Sequence, residues 1–515
     1  MLPTVSFLQA SDTYYPLSKM LTVTLGGFSS DGLNIFSRRM GVETSFAEHG
    51  ALQLVQNSTL VEEGYQLDIT LQGISLQAST DQGIIAGLTT LYQLTENVQG
   101  QMRIPCLTLT DAPQHSYRGI HLDSVRHFIP VDEILKILEQ MSLVKLNVLH
   151  WVLTNDQAWR IPCPSFPLLT KDCAYYTQEE IRLVVREAAL RGITVIPEMD
   201  MPGHMTALLS VYPEYSCTGE RVKRAVTGGI CPVILCAGQE KTYAMVEQLL
   251  RDVLPLFPGE YIHLGGDEAP KVRWKNCPHC QAMIHNLGLK NESELQGIFM
   301  NRVIALAKQH GKQVICWNES LTGGNLDPDA MVQYWTPDGA SDTLKALKAG
   351  RKMIYSDMFT FYLDYPSVCI PLDRVYGDAA VMGETNVENE IFGLEACLWT
   401  EHLDTDEKRA LHLFPRLYAL AERAWAGSVS YPAFKENLQT FLGKFHPSDI
   451  PCQPAEEWEA DMPDRIPRVL AHMNSITAAM SDEARESTMQ AAAPSEEFRK
   501  RFASCFLGVK GGNLG

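Results

Sequence analysis

The sequence predicts an α/β fold in three parts: a small α+β domain over residues 1–112, a closed (β/α)₈ barrel over 113–430, and a helical region over 431–515. Three observations carry this. Eight short apolar segments alternate with helical stretches between Arg118 and about residue 400, and such alternation makes a parallel sheet that eight units close. The chain before Arg118 instead joins an alternating strand pair to a helix. The chain after residue 430 is helical in character, with Ala and Glu enriched around 456–492. The length agrees, because 515 residues exceed what one core usually fills.

In the first part, Tyr65, Leu67, Ile69 and Leu71 alternate with polar residues, the period of a half-buried strand. Gly73 allows a turn, and Ile74 and Leu76 start the returning strand. Residues 81–95 read as a helix with Ile84, Leu88 and Leu91 among its apolar positions. Asp111-Ala112-Pro113 marks the expected boundary.

The barrel strands centre on Ile120-His121-Leu122, Leu146 to Trp151, Thr194-Val195-Ile196, Tyr261 to Leu264, Gln313 to Cys316, Met331 to Gln333, Lys352 to Tyr355, and Ala396-Cys397-Leu398. Helices fall near 131–143 and 241–253. Thr177 and Glu180 form a capping box for a helix that stops at Gly192, with Ile181, Val184, Val185 and Ala188 on one face. Ser293 and Gln296 read as the cap of a further helix ending by Gly311. The tail Gly511-Gly512-Asn513-Leu514-Gly515 is expected to be mobile.

Composition excludes several function classes. A net charge of −18 argues against nucleic acid and anionic membrane as partners, since both select clustered Lys and Arg. No apolar run approaches a membrane span. Met1-Leu2-Pro3-Thr4 lacks the basic-then-apolar pattern of a secretion signal, so such a signal is expected to be absent or already removed. The 13 cysteines are scattered and odd in number, which fits a reducing compartment, and the expected location is cytoplasmic. Cys277-Pro278-His279-Cys280 has the spacing of half a zinc knuckle. No second CxxC or His pair follows at a suitable distance, so free thiols or a local disulfide are expected and no metal.

The strand ends carry the functional signal. Glu198 and Asp200, Asp267 and Glu268, Trp317 and Glu319, Trp335, Asp357, Trp399 and Glu401 all follow apolar runs. In this fold the C-terminal strand ends face the active site. Any one of these residues could be a packed tryptophan or a helix-capping acid. As a recurring set they suit a sugar, with aromatic faces under the ring and carboxylates accepting from hydroxyls.

Five segments in order then resemble a known family. They are Arg118-Gly119-Ile120-His121-Leu122-Asp123 continuing to Arg126-His127-Phe128; Glu198-Met199-Asp200-Met201-Pro202-Gly203-His204; His263-Leu264-Gly265-Gly266-Asp267-Glu268; Tyr362-Leu363-Asp364; and Leu398-Trp399-Thr400-Glu401. The chain is similar, over about 118–425, to the β-N-acetylhexosaminidases, glycoside hydrolase family twenty. Its first part also looks like the small domain that commonly precedes that barrel, here of the TIM type.

The resemblance implies exo-acting, retaining hydrolysis of terminal N-acetylglucosamine or N-acetylgalactosamine from an N-acetylated glycan, without cofactor or metal. In this family the substrate's acetamido oxygen is the nucleophile and forms an oxazolinium intermediate. By resemblance, Glu268 is the acid and base, Asp267 accepts from the acetamido N–H, and Tyr362 holds the acetamido oxygen. Arg118 is expected to grip two hydroxyls, and Asp364 and Glu401 to accept from O4 and O6. Trp317, Trp335 and Trp399 wall the acetamide and the ring. His204 supports Glu268 from behind. Asp123 and Arg126 read as a buried salt bridge, with substrate contact as the alternative, and His150 as structural or functional alike.

The sequence also departs from the family pattern. Val152 stands where a histidine is usual, Asn155 replaces an aspartate, and Ala158 replaces a glycine. The usual aspartate holds the histidine equivalent to His204. With Asn155 there, His204 should protonate less readily, leaving the Glu268 carboxylate less stabilised and the acidic limb of the rate profile at higher pH. The loop register leaves Asp156 open as the alternative support. A sugar-binding protein of the same fold with little turnover, and a barrel hydrolase using an enzyme nucleophile, are the competing readings.

Overall fold

The computed structural model describes residues 1–377, 387–428, 430–459, 464–480 and 495–507, together with 482, 485, 486 and 488. The expected mobile tail at 511–515 lies outside the described residues.

The first part is a mixed sheet in the order Phe7–Pro16, Gln101–Asp111, Tyr65–Thr70, Gly73–Ala78, Leu52–Gln56, Met20–Thr24 and Glu43–Phe46, with Glu96–Val98 pairing beside Gln101–Asp111. Tyr65, Leu67 and Ile69 enter its core as their alternation requires. Leu71 does not; it lies in the turn and is exposed. The helix Asp81–Leu94 starts at Thr80, whose side chain accepts from the Gly83 N–H, and it buries Ile84, Leu88 and Leu91 against the sheet.

The second part is a closed parallel barrel. Its strands are β1 Tyr117–Asp123, β2 Val148–Thr154, β3 Thr194–Met199, β4 Tyr261–His263, β5 Gln313–Trp317, β6 Met331–Tyr334, β7 Met353–Tyr355 and β8 Gly393–Leu398, and β8 pairs with β1. All eight expected strands are present. The capping box at Thr177 and Glu180 is formed. The helix Glu292–Gln309 is capped differently from expectation: Asn291 accepts from the Ser293 and Glu294 N–H groups, so Ser293 is already inside the helix.

Inward-facing residues form layers. Tyr117, Val148, Ile196, Ile315, Met331 and Ile354 make an apolar layer at the strand starts. Above it lies a buried polar layer. His150 sits between two carboxylates, with Nε2 3.0 Å from Glu198 and Nδ1 2.9 Å from Glu395. Gln333 and Tyr117 also donate to Glu395. Trp317 Nε1 donates to Glu198 at 2.9 Å, and His263 stands 3.4 Å from the same carboxylate. Against burial, the Glu395 and Glu198 carboxylates raise His150 to about 10. Glu198 is held well below the usual range, burial notwithstanding, by His263, His121 and His150. His150 is thus a structural cation that ties β2 to β3 and β8 beneath the mouth of the barrel.

The third part is helical, with helices Tyr431–Phe445, Arg465–Ala479 and Glu496–Leu507. The last helix docks on the barrel through Phe498 and Phe506 against Phe359, and through Arg501, which pairs with Asp357 at 2.5 Å. Asp357, one of the strand-end acids, therefore anchors this helix. Among the described residues no helix is long and apolar enough to cross a membrane.

Candidate active site

The loop after β4 crosses the barrel mouth and carries Asp267 and Glu268. Its path depends on Gly265, at φ +67°, where an added Cβ would lie 1.6 Å from Asp200 Oδ1. Two strand-end acids hold the loop by its backbone: Asp200 accepts from the Gly266 N–H at 3.1 Å, and Glu319 accepts from the Glu268 N–H at 3.0 Å. Glu268 itself sits at φ +41°, an unfavourable region for a side chain that this anchoring maintains. Asp200 and Glu319 are therefore positioning residues.

His204, also at positive φ, faces both acids. Its Nε2 is 3.4 Å from Glu268 Oε2, 3.8 Å from Asp267 Oδ2 and 4.0 Å from Asp200 Oδ2. Its Nδ1 is 3.0 Å from Asp156 Oδ2. This corrects the expected link through Asn155. The Asn155 side chain turns back and accepts from the Asp156 N–H, whereas Asp156 also accepts from the Thr206 N–H and hydroxyl. Burial alone would drive His204 down, but the carboxyls of Asp200, Asp156 and Glu268 hold it well above its ordinary value. The reason for expecting His204 to protonate less readily therefore falls away, because its partner is a carboxylate. Burial and the neighbouring Asp200 carboxyl push Asp267 up, and burial raises Asp200 to about 7.

The other two departures pack on each other. Val152 and Ala158 form a small apolar cluster with Val125.

Aromatic residues enclose the pocket. Tyr362 lies 6.1 Å from Trp335, with planes 20° apart, and 6.4 Å from Trp399. Trp317 is 6.3 Å from Trp399 but fully buried, so it forms the floor. Asp267 Oδ1, Asp364 Oδ1 and Trp335 Nε1 are buried atoms without a hydrogen-bond partner among the described residues. Burying such atoms unpaired is costly, so these three are open to a polar ligand.

Arg118 is not among them. Alternation along β1 sends Tyr117, Gly119 and His121 inward and Arg118 outward, at the strand start. Its guanidinium pairs with Glu63 of the first part, donates to the His115 and Lys145 carbonyls, and lies over Trp425. The planar cation at the mouth is Arg126, for which the sequence favoured a salt bridge with Asp123 over substrate contact. It lies 3.4 Å from Glu401, 3.5 Å from Asp123 and 4.8 Å over Trp399. Asp123 is structural, as expected: it accepts from the Val125, Arg126 and Thr400 N–H groups. The signal that separates the two arginines is their place on the strand, since only Arg126 follows the C-terminal end of β1.

The pocket is closed on one side by the loop between Cys217 and Cys236. A Cβ at Gly228 would lie 3.0 Å from Glu401 Cγ, and Gln157 donates to the Thr227 carbonyl at 2.8 Å. That loop also corrects the reading of Cys277 and Cys280 as an isolated pair, because Cys217 and Cys236 stand beside them.

Comparison with known proteins agrees with this geometry. Residues 115–428 match the glycosyl hydrolase family 20 catalytic domain, and residues 21–112 match domain 2 of the same family. A β-hexosaminidase of Porphyromonas gingivalis is 36% identical over 71% of this chain, which spans about half (51%) of that protein's length. A β-hexosaminidase of Akkermansia muciniphila is 32% identical over 79% of this chain and 91% of its own. The crystal structure of a β-N-acetylhexosaminidase from Bacteroides fragilis superposes with a TM-score of 0.81 at 27% identity, covering 90% of this chain and 99% of that one. With the barrel, the ordered motifs and the preceding domain all in place, the chain belongs to the β-N-acetylhexosaminidase family, glycosyl hydrolase family 20, and is a glycoside hydrolase.

Proposed function

We propose that this chain removes terminal, non-reducing N-acetylglucosamine or N-acetylgalactosamine residues from N-acetylated glycans, with retention, by substrate-assisted catalysis. The observation that carries the reading is the pair of adjacent acids with different surroundings. Glu268 is partly exposed and faces His204, while Asp267 is buried with one oxygen unpartnered among aromatic walls. Such a division suits one group that exchanges protons with a leaving group and water, and another that binds a polar group inside the pocket.

In the first step the acetamido oxygen attacks the anomeric carbon as the glycosidic bond breaks, and Glu268 gives its proton to the leaving oxygen. Asp267 accepts from the acetamido N–H and stabilises the charge that develops there. Tyr362, which stacks beside Trp335, donates to the acetamido oxygen. In the second step Glu268 takes a proton from water, which opens the oxazolinium at the same face. Arg126, Asp364 and Glu401 bind the sugar hydroxyls. The exo mode is supported by the Gly228 loop, whose approach to Glu401 closes the end beyond the terminal sugar.

Glu268→Gln tests the assignment. Turnover of substrates with poor leaving groups should fall about 10²–10⁴-fold, the usual worth of general acid catalysis. Activated leaving groups, which need no proton, should lose far less in the first step. Equal losses in both would argue against Glu268 as the acid.

A further inference from the structure

Four cysteines from two loops converge at the side of the barrel mouth. Cys217 and Cys236 belong to the segment after β3, and Cys277 and Cys280 to the segment after β4. Cys236 Sγ is 3.7 Å from Cys277 Sγ and 3.7 Å from Cys280 Sγ, and Cys217 Sγ is 4.0 Å from Cys280 Sγ. All four sulfurs lie within 4.8 Å of one another, and none is bonded to another. A disulfide would bring one pair to about 2.05 Å. Four thiolates around one zinc, at about 2.3 Å each, stand about 3.8 Å apart along the edges of a tetrahedron. The spacing matches the second arrangement. An iron–sulfur cluster shares its cysteines among several irons and needs them spread more widely.

Each pair is locally built for the purpose. Cys277 is the N-cap of the helix Pro278–Leu287 and Cys280 lies in its first turn, so both sulfurs gather at the end where backbone N–H groups favour negative charge. Cys217 and Cys236 are brought together by the bridge between Ser216 and Leu235 and by the Cys236 N–H donating to the Tyr215 carbonyl at 2.9 Å. Gly238 lets the two loops close, since a Cβ there would lie 2.2 Å from the His279 carbonyl carbon. Trp274 Nε1 donates to the Leu235 carbonyl at 2.8 Å, locking the same contact. Cys236, Cys277 and Cys280 are buried, so the centre is shielded from solvent.

We infer that Cys217, Cys236, Cys277 and Cys280 bind one structural zinc ion, which fixes both ends of the loop that closes the pocket against Glu401. Binding releases the four thiol protons to solvent and leaves a closed four-thiolate centre with no open position. Its effect on the site is mechanical. The loop it clamps carries Gly228 against Glu401, and Leu235 also donates to the Pro202 carbonyl, two residues before His204.

The test uses the full chain, expressed with zinc present. Elemental analysis should find one zinc per chain, and X-ray absorption should find four sulfur neighbours at about 2.3 Å. Cys236→Ser and Cys280→Ser should each lose that zinc, while Cys452→Ser, remote from the cluster, should keep it. The zinc-depleted variants should show a raised KM with a smaller change in kcat, because the clamp acts on the closing loop. If the variants fail to fold, a mercurial thiol reagent on the wild type should release one zinc as the thiolates are titrated. Protein without stoichiometric zinc, a disulfide within the four, iron in zinc's place, or zinc retained in both serine variants would overturn the inference.

Discussion

His204 Nδ1 lies 3.0 Å from Asp156 Oδ2, so the imidazole that faces Glu268 is backed by a carboxylate. Against burial, this imidazole and the Thr206 N–H hold Asp156 below the usual range for its carboxyl. Asp156→Asn removes the anion, so His204 should lose its proton at lower pH than in the wild type. The basic limb of the rate profile should then begin at lower pH, and kcat/KM should fall by about 10–100-fold, less than removal of a general acid itself. Asn155→Asp should leave the profile in place, because residue 155 faces the Asp156 N–H. Profiles of the two variants against the wild type check this. A shifted curve for Asn155→Asp with an unshifted one for Asp156→Asn would reverse the assignment.

The two arginines give a second contrast. Arg126→Lys replaces a planar fork at the pocket with a point charge and should lower kcat/KM by about 10–100-fold, a loss of about 1–3 kcal/mol. Arg118→Lys should leave KM unchanged and lower the unfolding midpoint instead, because Arg118 joins the barrel to Glu63 of the first part. Steady-state kinetics and thermal unfolding on both variants distinguish the roles. A raised KM in Arg118→Lys would restore it to the sugar site.

His150 supplies a prediction about stability. Its folded value of about 10 lies above the ordinary 6.5, so its contribution is complete below about pH 6.5 and is lost as pH rises through 10. Glu198 is shifted the other way, so its contribution is present above its ordinary value and lost as pH falls. His150→Gln should cost about 3–5 kcal/mol near pH 6, because Glu198 and Glu395 are left buried without their cation. The cost should shrink at pH 9. Urea unfolding at both values measures it, and an equal cost at both would mean His150 is neutral in the fold.

Much of this architecture was legible in the sequence, for identifiable reasons. Each barrel strand announced itself as a short apolar run, and the acids and tryptophans at the strand ends followed from the polarity of the fold. Arg118 was misplaced because a motif match does not state which end of a strand a residue occupies; the inward set Tyr117, Gly119 and His121 does. Asn155 was misread because one residue of register in a loop exchanges it with Asp156, and no periodicity fixes that register. The cysteine cluster was missed because Cys217 stands 63 residues before Cys280, and only the parallel neighbours β3 and β4 bring their loops together.

The central claim is that the substrate's own acetamido group is the nucleophile, and the most direct measurement removes it. Rates should be compared on para-nitrophenyl N-acetyl-β-glucosaminide and para-nitrophenyl β-glucoside, which share a leaving group and differ at the 2-position. Because a well-placed internal nucleophile contributes several kcal/mol, the plain glucoside should react at least about 10³-fold more slowly. A thiazoline mimic of the oxazolinium should inhibit the same enzyme. Comparable rates on the two glycosides, with no inhibition by the thiazoline, would contradict the account and point to a nucleophile supplied by the protein.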